Sequence, residues 1–213
     1  MSSSQSDILD TAASASSATV GRIRTLDDRL SLVGIRMILV ALSFFFACFY
    51  FALTYLQLVN SNNLWRPSSL QPPAFILGFA ETALILLGGL VYFGAQVRGL
   101  YKGNYGLLTM GLLVTAVLSL ISVILHVGEL HNPGFTLQDG GYASVFIGLE
   151  GVYTFFLVIT TVVLFGLANR SRLGRFRQSG IAVDTFGEFW GWMSAIALLN
   201  FMALYVQPFF LIS

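Results

Sequence analysis

Five almost uncharged runs, each at least as long as a bilayer is thick, constrain the fold of this chain most. The first contains the 29 residues between Arg36 and Arg66, and about 20 apolar residues suffice for a transmembrane helix. Because the bilayer interior offers no partner to backbone polar groups, such runs cross it as helices. We therefore predict an all-α integral membrane protein, a five-transmembrane-helix bundle with helices near residues 34–59, 74–97, 105–128, 142–168 and 187–210.

The composition argues against a separate water-soluble domain. Apolar residues make up 56% of the chain and charged residues 10%, whereas about a quarter of the residues in a soluble domain are charged. Residues 33–213 are therefore predicted to form one membrane domain. Residues 1–32 are rich in Ser and Ala, cannot bury enough apolar surface to fold, and are predicted to be a disordered cytoplasmic tail. The net charge of +1 gives no reason to expect a nucleic-acid partner.

Positive charge is distributed unequally between alternate loops. Of the 11 Lys and Arg residues, only Arg66 falls outside the N-terminal segment, the 98–104 turn and the 169–184 loop. Because Lys and Arg near the ends of spans stay on the cytoplasmic side, we predict a cytoplasmic N-terminus and an external C-terminus. Aromatic residues near the predicted interfaces are interpreted as aromatic-belt anchors: Trp65, Tyr101, Tyr142, Trp190 and Trp192.

Two glutamates, Glu81 and Glu150, lie inside predicted spans, at similar depth in the outer half of the membrane. A charged side chain in the bilayer core costs at least about 2.5–3.5 kcal/mol, so each must be neutral, paired, or turned toward protein or water. One interpretation is a proton- or cation-linked pair on facing helices. The other is two neutral acids that hydrogen-bond neighbouring helices or a partner subunit. Both interpretations stay open.

Both histidines lie near Glu129 at the external end of predicted helix 3, and His126 and Glu129 are, with Glu81 and Glu150, the candidate intramembrane polar residues. His126, Glu129 and His131 could bind a surface metal ion, but a wet cluster at the membrane interface needs no ligand. A bis-histidine haem site needs ligands from facing helices, and Cys48 alone cannot form a cysteine–histidine metal site. The sequence therefore predicts no catalytic residue, no cofactor-binding residue and no metal site in this chain.

A set of residues along the chain shares its spacing with a known family. The set is Gly103-Asn104, Glu129, Phe135-Thr136, Asp139-Gly140, Tyr142, Ser144, Gly151, Arg170 and Phe189-Trp190. In these positions the chain resembles subunit III of haem–copper terminal oxidases, the cytochrome c oxidase subunit 3 family, in its short five-helix bacterial form. It resembles a divergent member: Leu42 stands where the family usually has a glutamate in its first helix, and Tyr153 and Phe156 stand where the fourth helix commonly has two histidines.

The resemblance implies a non-catalytic subunit in the inner (plasma) membrane of the cell, acting in aerobic electron transport. Haem and copper would lie in a catalytic, subunit I-like partner of a proton-translocating cytochrome c or quinol oxidase, which also has other subunits. Phospholipid is the second expected partner, and Arg170 matches a family position associated with a lipid phosphate. An Arg at a cytoplasmic helix end suits that contact, because its guanidinium can bind phosphate with two parallel hydrogen bonds.

Two alternatives remain from the sequence. One is an accessory subunit of a related respiratory complex, such as nitric oxide reductase. The other is a small ion-coupled transporter that uses Glu81 and Glu150. A transporter is expected to show discontinuous helices or an inverted repeat, and the sequence indicates neither.

Overall fold

The computed structural model describes the backbone of residues 3–59, 65–67, 70, 73–177 and 179–211, and their side chains except those of residues 3–25, 27, 177 and 208–211. Five long helices run through this part of the chain: α1 (Ser3–Leu58), α2 (Phe75–Ala95), α3 (Tyr105–His131), α4 (Gly141–Arg172) and α5 (Ile181–Phe201). π-Helical segments extend α2 over Gln96–Tyr101 and α5 over Met202–Leu211, and a 3-10 turn covers Arg175–Arg177.

Five helical segments, two of which continue into the π-helical extensions of α2 and α5, are long and apolar enough to cross a membrane. The segments are Asp28–Leu58, Phe75–Tyr101, Tyr105–His131, Gly141–Arg172 and Ile181–Gln207. The described residues include no strand. The predicted five-helix, all-α membrane bundle is confirmed, and the chain is a multi-pass membrane protein.

Helix ends differ from the predicted ones. The backbone of α1 is helical from Ser3 to Leu58, a stretch that contains no proline. The side chains of residues 3–25 lie outside the described ones, and a disordered tail stays a prediction. α4 continues to Arg172, where two arginines in its last turn stabilise the negative end of the helix dipole. α5 begins at Ile181, six residues before the predicted start, with Asp184 in its first turn.

The helices form a bundle with α3 between α2 and α4, and with α5 packed on α2 and α4. α1 lies across α4 and α5 at the edge. Only 6% of the residues in its most apolar stretch are buried, against 39–44% in the other four spans. α1 is therefore the least enclosed helix and leaves a broad apolar face for lipid or another protein.

Polar side chains tie α1 to α5. Arg36 forms an ion pair with Glu188, with 2.7 Å between nitrogen and oxygen. Farther along, the indole N–H of Trp192 donates to Ser43 Oγ at 2.9 Å. The Tyr50 hydroxyl donates to Asn200 Oδ1 at 2.6 Å. These contacts fix the position of α1 together with its few buried apolar side chains, such as Phe46 and Leu53.

Small residues let α2 and α3 approach closely. Gly111 of α3 faces Ala95 of α2, and a Cβ built on Gly111 would overlap the Cβ of Ala95. One turn along, the Thr115 hydroxyl lies 3.2 Å from the carbonyl oxygen of Gly88. Such stripes drive helix association in membranes because they permit close backbone contact.

The aromatic-belt interpretation is wrong for Trp190 and Tyr142, both of which are fully buried. Trp190 fills the space above Gly88 and Gly89, where an added Cβ would lie 3.1 and 3.4 Å from its ring. The Tyr142 hydroxyl donates to the carbonyl of Leu204 at 2.8 Å. Both rings fill space that neighbouring helices leave for them, so position along the chain alone does not indicate an interface anchor.

Candidate functional site

Four ionisable side chains from three helices meet inside the bundle. Glu81 comes from α2, His126 and Glu129 from α3, and Glu150 from α4. Residues three apart on a helix lie on the same face, so His126 and Glu129 project together between the other two helices. All four are more than nine-tenths buried, with exposed fractions of 1%, 6%, 6% and 3% in chain order. We call them the carboxylate–histidine cluster.

His126 lies between the two acids that the sequence places inside spans. Its Nδ1 atom is 2.9 Å from Glu81 Oε2 and 3.5 Å from Glu150 Oε2. Glu81, His126 and Glu129 each offer a donor atom, and these three atoms lie within 4.8 Å of one another. The cluster can therefore share protons among its members or hold a cation.

Aromatic and amide groups surround the cluster. The Tyr205 hydroxyl, from the π-helical extension of α5, donates to Glu129 Oε2 at 2.6 Å. The ring of Tyr153 meets that of His126 edge-on, with centroids 5.5 Å apart. A cavity of about 10 Å³ lies against Glu81, His126, Glu150 and Asn200. That volume is about the least that holds one water molecule.

Many polar atoms of the cluster lack a hydrogen-bond partner among the described residues. They are both carboxylate oxygens of Glu81, both ring nitrogens of His126, Oε1 of Glu129 and Oε2 of Glu150. The contacts of His126 with Glu81 and Glu150 are ion pairs when the imidazole is protonated. Buried polar groups are nearly always satisfied in folded proteins. Protons shared between carboxyl groups, as between Glu81 and Glu129, can satisfy some of these atoms, and a further bound species can satisfy the others.

The structure differs from the predicted wet cluster of His126, Glu129 and His131. Only His131 is exposed, at the last position of α3. The helix continues three residues past the predicted end, which keeps Glu129 inside the bundle and away from the loop. Sequence reasoning also missed Tyr205 and Asn200, whose polar groups are in an otherwise apolar C-terminal stretch. For the cluster itself, the sequence offers one signal: His126 and Glu129 are three residues apart, which places both side chains on the same face of α3.

Arg170 lies far from this cluster. It is 20 positions after Glu150 on α4, about 30 Å along the helix axis. Its guanidinium carbon is 6.0 Å from the centre of the Phe176 ring, within cation–π range. Arg170 borders a groove of about 470 Å³ between α1, α4 and α5, lined otherwise by Ser31, Ile35, Ile159, Thr160, Val163, Leu167, Ile181, Ala182, Thr185, Phe186 and Phe189.

Comparison with known proteins finds one family and several relatives. The family model described as cytochrome c oxidase subunit III matches residues 13–208. Cytochrome c oxidase subunit 3 of Rattus norvegicus is 24% identical over 177 residues, which are 81% of this chain and 67% of that protein. The same subunit of Locusta migratoria is 25% identical over 194 residues, 87% of this chain and 73% of that protein. That of Didelphis virginiana is 30% identical over 134 residues, 60% of this chain and 47% of that protein.

Proposed function

The chain belongs to the cytochrome c oxidase subunit III family, and on that basis we propose that it is the non-catalytic subunit III of a respiratory haem–copper oxidase. The observation that carries this proposal is the extent of the family match. It covers residues 13–208 and so includes all five membrane-spanning segments, which end at Gln207. A match of that extent concerns the whole bundle and not one shared motif.

In this proposal haem and copper lie in the subunit I-like partner. The donor set of this chain supports that division. His126 is buried among carboxylates and His131 lies at the exposed end of the same helix. A bis-histidine haem site takes its ligands from opposite sides of the haem, and two residues on one helix do not supply them. The broad apolar face of α1 is available for the contact with a partner subunit.

We also propose that the chain lies in the inner (plasma) membrane with a cytoplasmic N-terminus. A topology experiment starts from Cys48→Ser, which removes the one free thiol, and adds Lys102→Cys, Gln138→Cys or Arg175→Cys singly. A membrane-impermeant maleimide should label the Gln138→Cys chain in intact cells, and the other two only after permeabilisation. The reason is the excess of Lys and Arg in the loops that hold residues 102 and 175. Labelling of the Lys102→Cys and Gln138→Cys chains from the same face would contradict the topology.

The groove beside Arg170 supports phospholipid binding. Its lining is mostly aliphatic and aromatic, which suits an acyl chain, and its volume of about 470 Å³ is within the range of small-molecule sites. The guanidinium at its border suits a phosphate. On the predicted orientation, this end of α4 faces the cytoplasm, so the phosphate belongs to the inner leaflet.

The lipid proposal predicts that Arg170→Ala weakens binding of a specific phospholipid about 10-fold or more, because hydrogen bonds to charged groups contribute about 1.5–3 kcal/mol. The measurement is quantitative lipid mass spectrometry of the delipidated and reconstituted complex, with activity followed during turnover. We expect less retained phospholipid and faster loss of activity. Arg175→Ala is the matched control, because it removes the same charge from the exposed turn after α4. Equal lipid retention in both variants would refute the role of Arg170.

A second function, an ion-coupled transporter, is favoured by one observation: Glu81 and Glu150 both contact His126. Beyond the cluster, toward the Arg170 end, the described buried polar groups of α3 and α4 are hydroxyls such as Ser119 and Thr161, 2.6 Å apart. A relay along α3 and α4 would have to cross this half of the membrane on hydroxyls and water, because the next acid, Asp184 of α5, lies at the far end of the bundle, where Gln96 donates to it at 2.7 Å. Subunit III therefore stays the better proposal.

Glutamine substitutions separate the two functions. Glu81→Gln and Glu150→Gln keep the shape of each side chain and remove its ionisable proton. If the chain is a subunit III, the initial rate of oxygen reduction and the protons pumped per electron should stay unchanged in the assembled complex. An oxygen electrode and pH measurements on proteoliposomes check both quantities. A large drop in pumping in either variant, with assembly intact, would favour the relay.

A further inference from the structure

We propose that the carboxylate–histidine cluster is a binding site for a divalent metal ion of the Zn²⁺ class. The sequence predicts no metal site, because two histidines near one helix end are too few ligands. The fold changes this by adding Glu81 from α2 and Glu150 from α4 to His126 and Glu129. One imidazole nitrogen and several carboxylate oxygens form a donor set that Zn²⁺ accepts.

The charges of the cluster favour a cation. Buried charges in proteins are paired or coordinate metals. Three carboxyl groups surround one imidazole here, so a protonated His126 can neutralise only one of them. A divalent ion bound by two ionised carboxylates and a neutral imidazole leaves the site electrically neutral, with the third carboxyl group protonated. It would also satisfy donor atoms that have no hydrogen-bond partner among the described residues.

The donor atoms lie close to the separations that a four-coordinate site needs. With Zn–ligand bonds of about 2.0–2.2 Å, tetrahedral ligands are about 3.3–3.6 Å apart. His126 Nδ1 is 3.5 Å from Glu150 Oε2 and 2.9 Å from Glu81 Oε2. The donor of Glu129 lies within 4.8 Å of those of Glu81 and His126. Glu81, His126 and Glu129 thus supply three ligands, and Glu150 or a water molecule would supply the fourth.

A groove at one end of the bundle reaches one member of the cluster. A groove of about 350 Å³ opens between the start of α2 and the end of α3. Glu129 lines this groove together with Leu77, Gly128, Asn132 and Pro133, and its donor atom is within 4.8 Å of the inner donors. Glu129 therefore borders both the groove and the buried donor atoms, and in this proposal it is the ligand that an entering ion meets first. On the predicted orientation, the groove faces the outside of the cell.

An outer hydrogen bond orients one of the ligands. The Tyr205 hydroxyl donates to Glu129 Oε2 at 2.6 Å and leaves Oε1 without a hydrogen-bond partner among the described residues. Partners of this kind fix the orientation of metal-binding carboxylates, and their loss typically weakens metal binding about 10–100-fold. Tyr205 is therefore a positioning residue in this proposal.

The test uses the full chain purified in mild detergent, stripped with a chelator and titrated with Zn²⁺ and, separately, Mn²⁺. Metal analysis after gel filtration, isothermal titration and the melting temperature are the readouts. We expect about one Zn²⁺ per chain and a higher melting temperature with the metal. His126→Gln and Glu129→Gln should each weaken binding at least about 10-fold, and Tyr205→Phe about 10–100-fold. His131→Gln is the matched control, because His131 lies exposed on the same helix.

Two results would overturn the proposal. One is the absence of stoichiometric metal and of a melting-temperature shift in the unaltered chain, which would indicate that the cluster only shares protons. The other is binding that His126→Gln and Glu129→Gln leave intact, or that His131→Gln abolishes, which would place the metal at the surface. The titration of the unaltered chain and the mild Tyr205→Phe variant keep the test decisive even if one of the other variants misfolds.

Discussion

Gly111→Leu should abolish the folded bundle, and Gly111→Ala should destabilise it measurably. Even a single Cβ at this position overlaps the Cβ of Ala95 on the neighbouring helix. The clash lies between two Cβ atoms, whose positions are fixed by the backbones of the helices. Rotation of a flexible side chain therefore cannot relieve it. Overpacking of this kind typically costs about 1–3 kcal/mol for small additions and more for larger ones. Leucine adds three further carbons to the same contact.

The measurement is the temperature at which half of the monodisperse protein is lost in detergent. Gly128→Ala is the matched control, because it makes the same change on the same helix where an added Cβ has nothing within 4 Å. Alanine is the better helix former by about 0.5–1 kcal/mol, so the control should be neutral or more stable than the parent. Equal melting temperatures for the two alanine variants would show that α2 and α3 are not in such close contact.

Trp190→Ala should cause the second large loss of stability. The ring is fully buried and packs on Gly88, Gly89 and Phe186. Truncation of a buried aromatic residue costs about 3–5 kcal/mol in soluble cores. In a bilayer this cost comes mainly from lost packing, because lipid is as apolar as the side chain and burial of the side chain gains little hydrophobic free energy. We therefore expect a cost near the lower end of that range, about 3 kcal/mol.

Phe155→Ala is the control for the tryptophan variant. Phe155 is 61% exposed on α4, so it faces lipid or a partner and leaves no cavity inside the chain when truncated. The isolated Phe155→Ala chain should melt close to the parent temperature, and the Trp190→Ala chain well below it. A Trp190→Ala chain as stable as the parent would mean that this part of the bundle is loosely packed.

The sequence predicts that the spans are α-helices and that there are five of them, because an apolar segment in a bilayer can satisfy its backbone polar groups only by forming a helix. Runs such as 37–65 must form helices to satisfy their own polar groups, and five of them were predicted and found. The faces of those helices could not be predicted in the same way. Lipid-facing and protein-facing residues are both apolar, so hydrophobic periodicity does not distinguish them.

The carboxylate–histidine cluster depends on those faces. Glu81 and Glu150 could be placed at similar depth by counting residues, but their common contact with His126 requires the rotation of three helices. The rotation of each helix depends on close contacts such as the one between Gly111 and Ala95. Such contacts depend on two helices together and cannot be read from one segment alone. His126 and Glu129 are intramembrane polar candidates from the sequence, but with α3 predicted to end at 128 they are expected at the wet interface, whereas the last turn of α3 continues to His131.

The identity of the protein that co-purifies with this chain tests most directly whether the chain is the subunit III of a haem–copper oxidase. The tagged chain should be isolated from its native membrane in mild detergent, with a reduced-minus-oxidised optical spectrum and peptide mass spectrometry of the same sample. We predict a haem spectrum and an equimolar, subunit I-like oxidase chain. Isolation without any haem protein, or with the catalytic chain of a nitric oxide reductase, would contradict the claim.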